Sequence, residues 1–157
     1  MVTQQPPDDV PGLVIVVDVA NVMGARADGW WRDRAGAALR LCREVDALAG
    51  RGVQEDRLSA EQPSGERQPR AEELAYPRYV LVLEGKARDA ADRIGDLDSR
   101  TRIVQAPGSG DDTIVAEAGA AAGEFPTLVV TADRELRQRC RAAGASVRGP
   151  GWLLDLL

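Results

Sequence analysis

The run Leu13-Val14-Ile15-Val16-Val17-Asp18-Val19 puts a carboxylate at the end of an unbroken apolar, largely β-branched stretch. Without polar alternation, such a stretch fits a strand covered on both faces, as in a parallel sheet sandwiched between helices. A carboxylate there is costly to desolvate unless it is hydrogen-bonded, paired or bound to metal. Asp18 therefore constrains both the fold and the chemistry.

The rest of the chain repeats the theme. Tyr79–Leu83, Arg102–Gln105, Thr127–Thr131 and Ala145–Arg148 read as further strands. Between them, apolar residues recur at helical spacing. Trp31, Ala35, Ala38, Leu39, Cys42, Val45 and Leu48 predict a helix from about Trp30 to Ala49, with Trp31 on its core face and Trp30 either covering the core or free to stack on a base. Ala87, Ala91, Ile94 and Leu97 mark a second helix, Ile114, Val115, Ala118 and Ala122 a third, and Leu136, Cys140 and Ala143 a fourth; Trp152–Leu157 should dock on the core. Strands alternating with helices predict a three-layer α/β sandwich around a mainly parallel five-stranded sheet with right-handed crossovers. Residues 1–12 read as a disordered lead and 13–157 as one domain, interrupted by a flexible polar loop at about Gln54–Pro69 and a short helix near Ala71–Ala75.

Composition narrows the chemistry. The chain has no histidine, which removes His-based triads, imidazole bases and His-built zinc sites. Hydrolysis would have to come from carboxylates and a hard metal held by oxygen. The two cysteines, Cys42 and Cys140, fall on apolar helix faces and read as buried free thiols, which suits a cytoplasmic, reducing setting. The start of the chain lacks the basic and apolar regions of a secretory signal, and no stretch is apolar enough for a membrane span. The net charge of −5 argues against a strongly basic nucleic-acid binder but does not exclude a local patch.

In a doubly wound sheet, ligands bind beyond the carboxyl ends of the strands. Asp18 ends the first strand, Glu84 follows the second, Asp111 and Asp112 open the helix after the third, and Asp133 follows the fourth. Acids from four separate stretches thus converge on one sheet edge. Asp111, Asp112 and Asp133 are each also good helix N-caps, so capping and site roles both stand for them.

Asp18-Val19-Ala20-Asn21-Val22, Gly110-Asp111-Asp112-Thr113-Ile114 and Val129-Val130-Thr131-Ala132-Asp133-Arg134-Glu135-Leu136 together resemble the three ordered motifs of PIN-like nucleases, in particular the NYN branch with its bacterial YacP-like members. The resemblance runs from Leu13 to about Gly149. It implies a Rossmann-like sheet and Mg²⁺- or Mn²⁺-dependent cleavage of RNA. On it, Asp18, Asp112 and Asp133 would hold metal, Asn21 would orient a ligand or water, and Asp111 and Glu84 would be secondary acids. Two positions depart from the pattern: Glu84-Gly85 stands where Asp-Gly is frequent, and Arg137 stands where some relatives carry another acid. Lys86, Arg26, Arg32, Arg34, Arg134 and Arg137 are placed to meet phosphate or to form a solvated charged face.

The competing readings are a nucleotide phosphohydrolase of another α/β family and a degenerate fold kept for RNA binding or protein interaction; self-association into a homodimer is open in each. Ala20 stands where a haloacid-dehalogenase phosphatase would need a second aspartate, and there is no Gly-x-x-x-x-Gly-Lys-Ser/Thr loop.

Overall fold

A computed structural model describes residues 12–58 and 74–157. Five parallel strands form the central sheet: β1 (Val14–Asp18), β4 (Arg78–Leu83), β5 (Thr101–Gln105), β6 (Thr127–Val130) and β7 (Ser146–Arg148), in the order β5-β4-β1-β6-β7. β2 (Val53–Gln54) and β3 (Leu74–Ala75) make a separate two-stranded antiparallel ladder. Val14–Asp18 is buried at every position, as the uninterrupted run requires.

Side chains alternate across the sheet and fill two cores. Ile15, Val17, Tyr79, Leu81, Leu83 and Val130 face α1 (Val19–Gly24), α2 (Arg34–Arg51) and α6 (Pro150–Leu154), together with a 3-10 helix over Gly85–Arg93. Val14, Val16, Val80, Val82 and Val129 face α4 (Gly110–Ala122) and α5 (Arg134–Ala142). This is the expected three-layer α/β sandwich. Leu153 is fully buried, so the C-terminal segment docks as its apolar pattern requires. Cys42 and Cys140 are buried and unpaired.

β1 is the pivot of the topology. The chain leaves it to build β4 and then β5 on one side, and crosses back to lay down β6 and β7 on the other. Strand order therefore reverses at β1, and the crevice beyond its carboxyl end is where such sheets bind ligands.

Several boundaries differ from expectation. The helix predicted from Trp30 is broken: Trp30–Arg32 is a 3-10 turn entered through Gly29 at φ 76°, and α2 begins afresh at Arg34. Asp33 resets it, its carboxylate accepting a hydrogen bond from Gly36 N at 2.9 Å as an N-cap. The tryptophans are thereby rotated out of the expected phase. Trp30 packs against the core, while Trp31 is 57% exposed.

The segment after β4 is 3-10 rather than α, so its three-residue repeat buries Ala87 and Ala90 and leaves Ala91 half-buried. Gln54–Leu58, expected in the flexible loop, instead holds the end of β2 and a helical turn, α3 (Glu55–Leu58). Leu74 and Ala75, expected at the end of a short helix, pair with Gln54 and Val53 as strand. The remainder of that loop and the N-terminal lead lie outside the described residues. Gly52 shows why the ladder closes so tightly: it has φ 78°, and a Cβ there would come within 2.9 Å of the Tyr76 ring.

Candidate active site

Asp18 is 7% exposed at the end of β1 and caps α1. Its Oδ2 accepts a hydrogen bond from the Thr131 hydroxyl at 2.9 Å, and its Oδ1 a longer one from Asn21 N at 3.4 Å. These two bonds do not fully replace water. Burial is the main cause that pushes the Asp18 carboxyl up to about 6 from an ordinary 3.8; Glu84 and Asp111 raise it further, while Thr131 and Asn21 pull it down.

Thr131 is completely buried just past β6 and works in two directions. Its hydroxyl also accepts from Asp133 N at 3.2 Å, and its own N–H bonds Arg148 O at 2.9 Å. The chain beyond β6 is thus tied to β1 and β7 together. Asn21 adds a second tie from α1, its Oδ1 accepting from Ala132 N at 2.8 Å. Asn21, expected to orient a ligand, here positions the segment that carries Asp133.

Asp133 performs the capping role that its sequence position suggested: Oδ1 accepts from Leu136 N at 2.9 Å. The exposed carboxylate keeps Oδ2 for another partner. Glu84 reaches from the end of β4 to accept a hydrogen bond from Gly110 N at the start of α4. Gly110 allows this approach, since a Cβ there would meet Glu84 Oε2 at 2.9 Å. The first N–H of α4 is therefore served by Glu84, and neither Asp111 nor Asp112 caps that helix.

The two aspartates of α4 separate. Asp111 is half-buried and joins the cluster; burial first, then the charges of Asp133 and Glu84, hold its carboxyl above the usual range. Asp112, expected among the metal ligands, is 83% exposed at its side chain and pairs with Arg139 of α5 at 2.8 Å. Helical phase explains this. Asp111 lies three, four and seven residues before Ile114, Val115 and Ala118 and shares their inward face, whereas Asp112 is turned about 100° away. That signal was present in the sequence.

The basic candidates also divide. Arg26 is engaged by Glu44 through both terminal guanidinium nitrogens, Nη1 at 3.0 Å, and is not a free phosphate ligand. Lys86 and Arg134 are exposed beside the crevice. Arg137 is half-buried one turn into α5, and its Nε is buried without a partner among the described residues.

The acids that gather here are Asp18, Glu84, Asp111 and Asp133. They offer only hard oxygen donors, which suits Mg²⁺ or Mn²⁺, and the Asp18 carboxyl is raised first by burial and to a lesser extent by the charges of Glu84 and Asp111. As placed, no three acidic side chains among the described residues are drawn close enough to hold an ion. Asp18, Glu84 and Asp133 are each committed instead to a hydrogen bond within the protein.

The fold is shared with solved structures, one of which can be compared directly. This one is the crystal structure of a point mutant of Rae1 (YacP) from Bacillus subtilis, which superposes with a TM-score of 0.59 at 13% identity over 91% of this chain and 74% of that one. The α/β architecture is therefore PIN-like, as the three motifs implied. No protein-family profile matches the chain, and no curated protein matches it by sequence. Among the described residues no helix is long and apolar enough to cross a membrane.

Proposed function

We propose that this chain is a ribonuclease that hydrolyses RNA phosphodiester bonds at the β1 crevice, with Mg²⁺ or Mn²⁺ held by Asp18, Asp111 and Asp133 and supported by Glu84. The observation that carries this reading is the convergence of four carboxylates, from four separate stretches, on the point where strand order reverses. Mutually repelling acids at that edge cost stability and fit a cationic ligand better than a purely structural role.

The residues divide the work. Asp18 is the fixed floor, held by Thr131; Asn21 and Thr131 hold the segment bearing Asp133 in register with it. Turning the half-buried Asp111 and the exposed Asp133 toward Asp18 would close the donor set. Lys86, Arg134 and Arg137 would bind the phosphates flanking the scissile bond. A bound divalent cation supplies neutralisation of the phosphodiester and a lowered pKa for water.

The open spacing of the acids favours one alternative, a module that binds RNA without cutting it. Incubating the purified protein with labelled single-stranded RNA in Mn²⁺ and in EDTA decides between them. Mn²⁺-dependent, EDTA-sensitive cleavage is expected; binding without cleavage would select the alternative.

A further inference from the structure

Two neighbouring depressions lie beside the acid crevice. The inner one, about 430 Å³, is lined by Ala20, Trp30 and Glu84, and the outer one, about 480 Å³, by Trp31, Arg32 and Asp33; Arg34 and Lys86 border both. They form one groove that begins at Glu84 and runs outward past two cations to an exposed indole.

The aromatic end is built in an orderly way. Trp30 packs on the core and meets Trp31 edge to face, with ring centroids 6.0 Å apart and planes at 88°. Arg34 lies over Trp30 at 5.6 Å and Arg32 over Trp31 at 5.9 Å. Trp31 is 57% exposed although an indole is costly to leave in water. The Asp33 cap that resets α2 is what turns it outward. The groove also contains Asp33, occupied with Gly36 N, and the exposed Asp89. Against Arg32, Arg34 and Lys86 they leave the outer depression weakly positive on a chain that is acidic overall, while Glu84 at the inner end brings the whole groove to neutrality.

We infer that this groove is a track for single-stranded RNA leading to the acid crevice, with Trp31 stacking on an unpaired base and Arg34 and Lys86 holding the phosphates between that base and Glu84. Alternating cations with an exposed aromatic face is what single strands need, because a base is free to stack only when it is unpaired. A duplex offers no such face to Trp31. The inference rests on the ribonuclease reading for the direction of the track, but its binding test does not need cleavage.

The test is fluorescence anisotropy in EDTA with a labelled oligouridylate and with a duplex RNA of equal length. The wild type should bind the single strand more tightly than the duplex. Trp31→Ala should weaken single-strand binding about tenfold, the order expected for one lost base stack, and Trp31→Tyr should restore most of it. Lys86→Ala should lower the slope of log affinity against log salt by about 0.7. In Mn²⁺, Trp31→Ala should raise KM and leave kcat nearly unchanged. Equal binding by Trp31→Ala and wild type, duplex binding as tight as single-strand binding, or no binding to either RNA would overturn the track. Single-strand binding that depends on Trp31, without cleavage in Mn²⁺, would sink the ribonuclease reading and leave the track standing.

Discussion

The Thr131 hydroxyl donates to Asp18 across 2.9 Å and so joins two residues 113 positions apart at the floor of the crevice. The same oxygen accepts from Asp133 N, so one buried side chain sets the spacing of two acids. Thr131→Val keeps the shape and removes both bonds, which should cost about 1–3 kcal/mol for buried partners left unsatisfied. Thr131→Ser should retain most of the stability. Urea midpoints of the two variants check this, and equal midpoints would show that the hydroxyl is not the link.

Asp18 should also make stability depend on pH. Its carboxyl is raised to about 6 in the fold against an ordinary 3.8, so between those values the folded chain keeps a proton that the unfolded chain has released. Stability should therefore fall as pH rises through that window, by a total on the order of 3 kcal/mol at neutral pH. Asp18→Asn should flatten this decline in EDTA. The check is a series of denaturation curves from pH 4 to 7; the same slope in both proteins would assign the effect to other groups.

Metal binding should discriminate between the paired aspartates of α4. A divalent cation that binds only the folded state raises its melting temperature by mass action. Mn²⁺ should shift the wild type and Asp112→Asn equally, because Asp112 faces Arg139 away from the cluster. Asp111→Asn should lose most of the shift. The reverse pattern would return Asp112 to the site.

Asn21→Ala should release the segment after β6, since Asn21 Oδ1 is the acceptor for Ala132 N. A stability loss of about 1 kcal/mol is expected, with faster amide exchange at Ala132 than in the wild type. Unchanged exchange there would remove Asn21 from its positioning role.

Much of this arrangement could be read from the chain. The apolar runs Val14–Val17, Val80–Leu83 and Leu128–Val130 are too uniform for half-exposed strands, so a parallel sheet covered on both faces followed directly. Asp18, Glu84 and Asp133 stood at or just past strand ends, which located the crevice. The strand ends alone did not say which neighbour of a pair turns inward; helical phase did. Asp111 against Asp112 is decided by a 100° step that the inward set of Ile114, Val115 and Ala118 already fixed, whereas the family motif drew attention to Asp112, whose exposed carboxylate pairs with Arg139. Trp31 was misplaced for a different reason: a single cap at Asp33 ended one phase and began another, so a periodicity read across it placed an exposed indole in the core. The β2–β3 ladder was hidden because two-residue strands leave no alternation to detect. The Thr131 bridge, spanning most of the chain, has no local signature.

The central claim, that Asp18 is kept for chemistry and not for stability, is tested by cleavage of labelled single-stranded RNA in Mn²⁺ by wild type and Asp18→Asn, each matched to its urea midpoint in EDTA. The substitution removes the charge and preserves an acceptor for Thr131. The variant should be at least as stable as the metal-free wild type and should have lost most of its cleavage. A variant that is destabilised yet cleaves at the wild-type rate would contradict it.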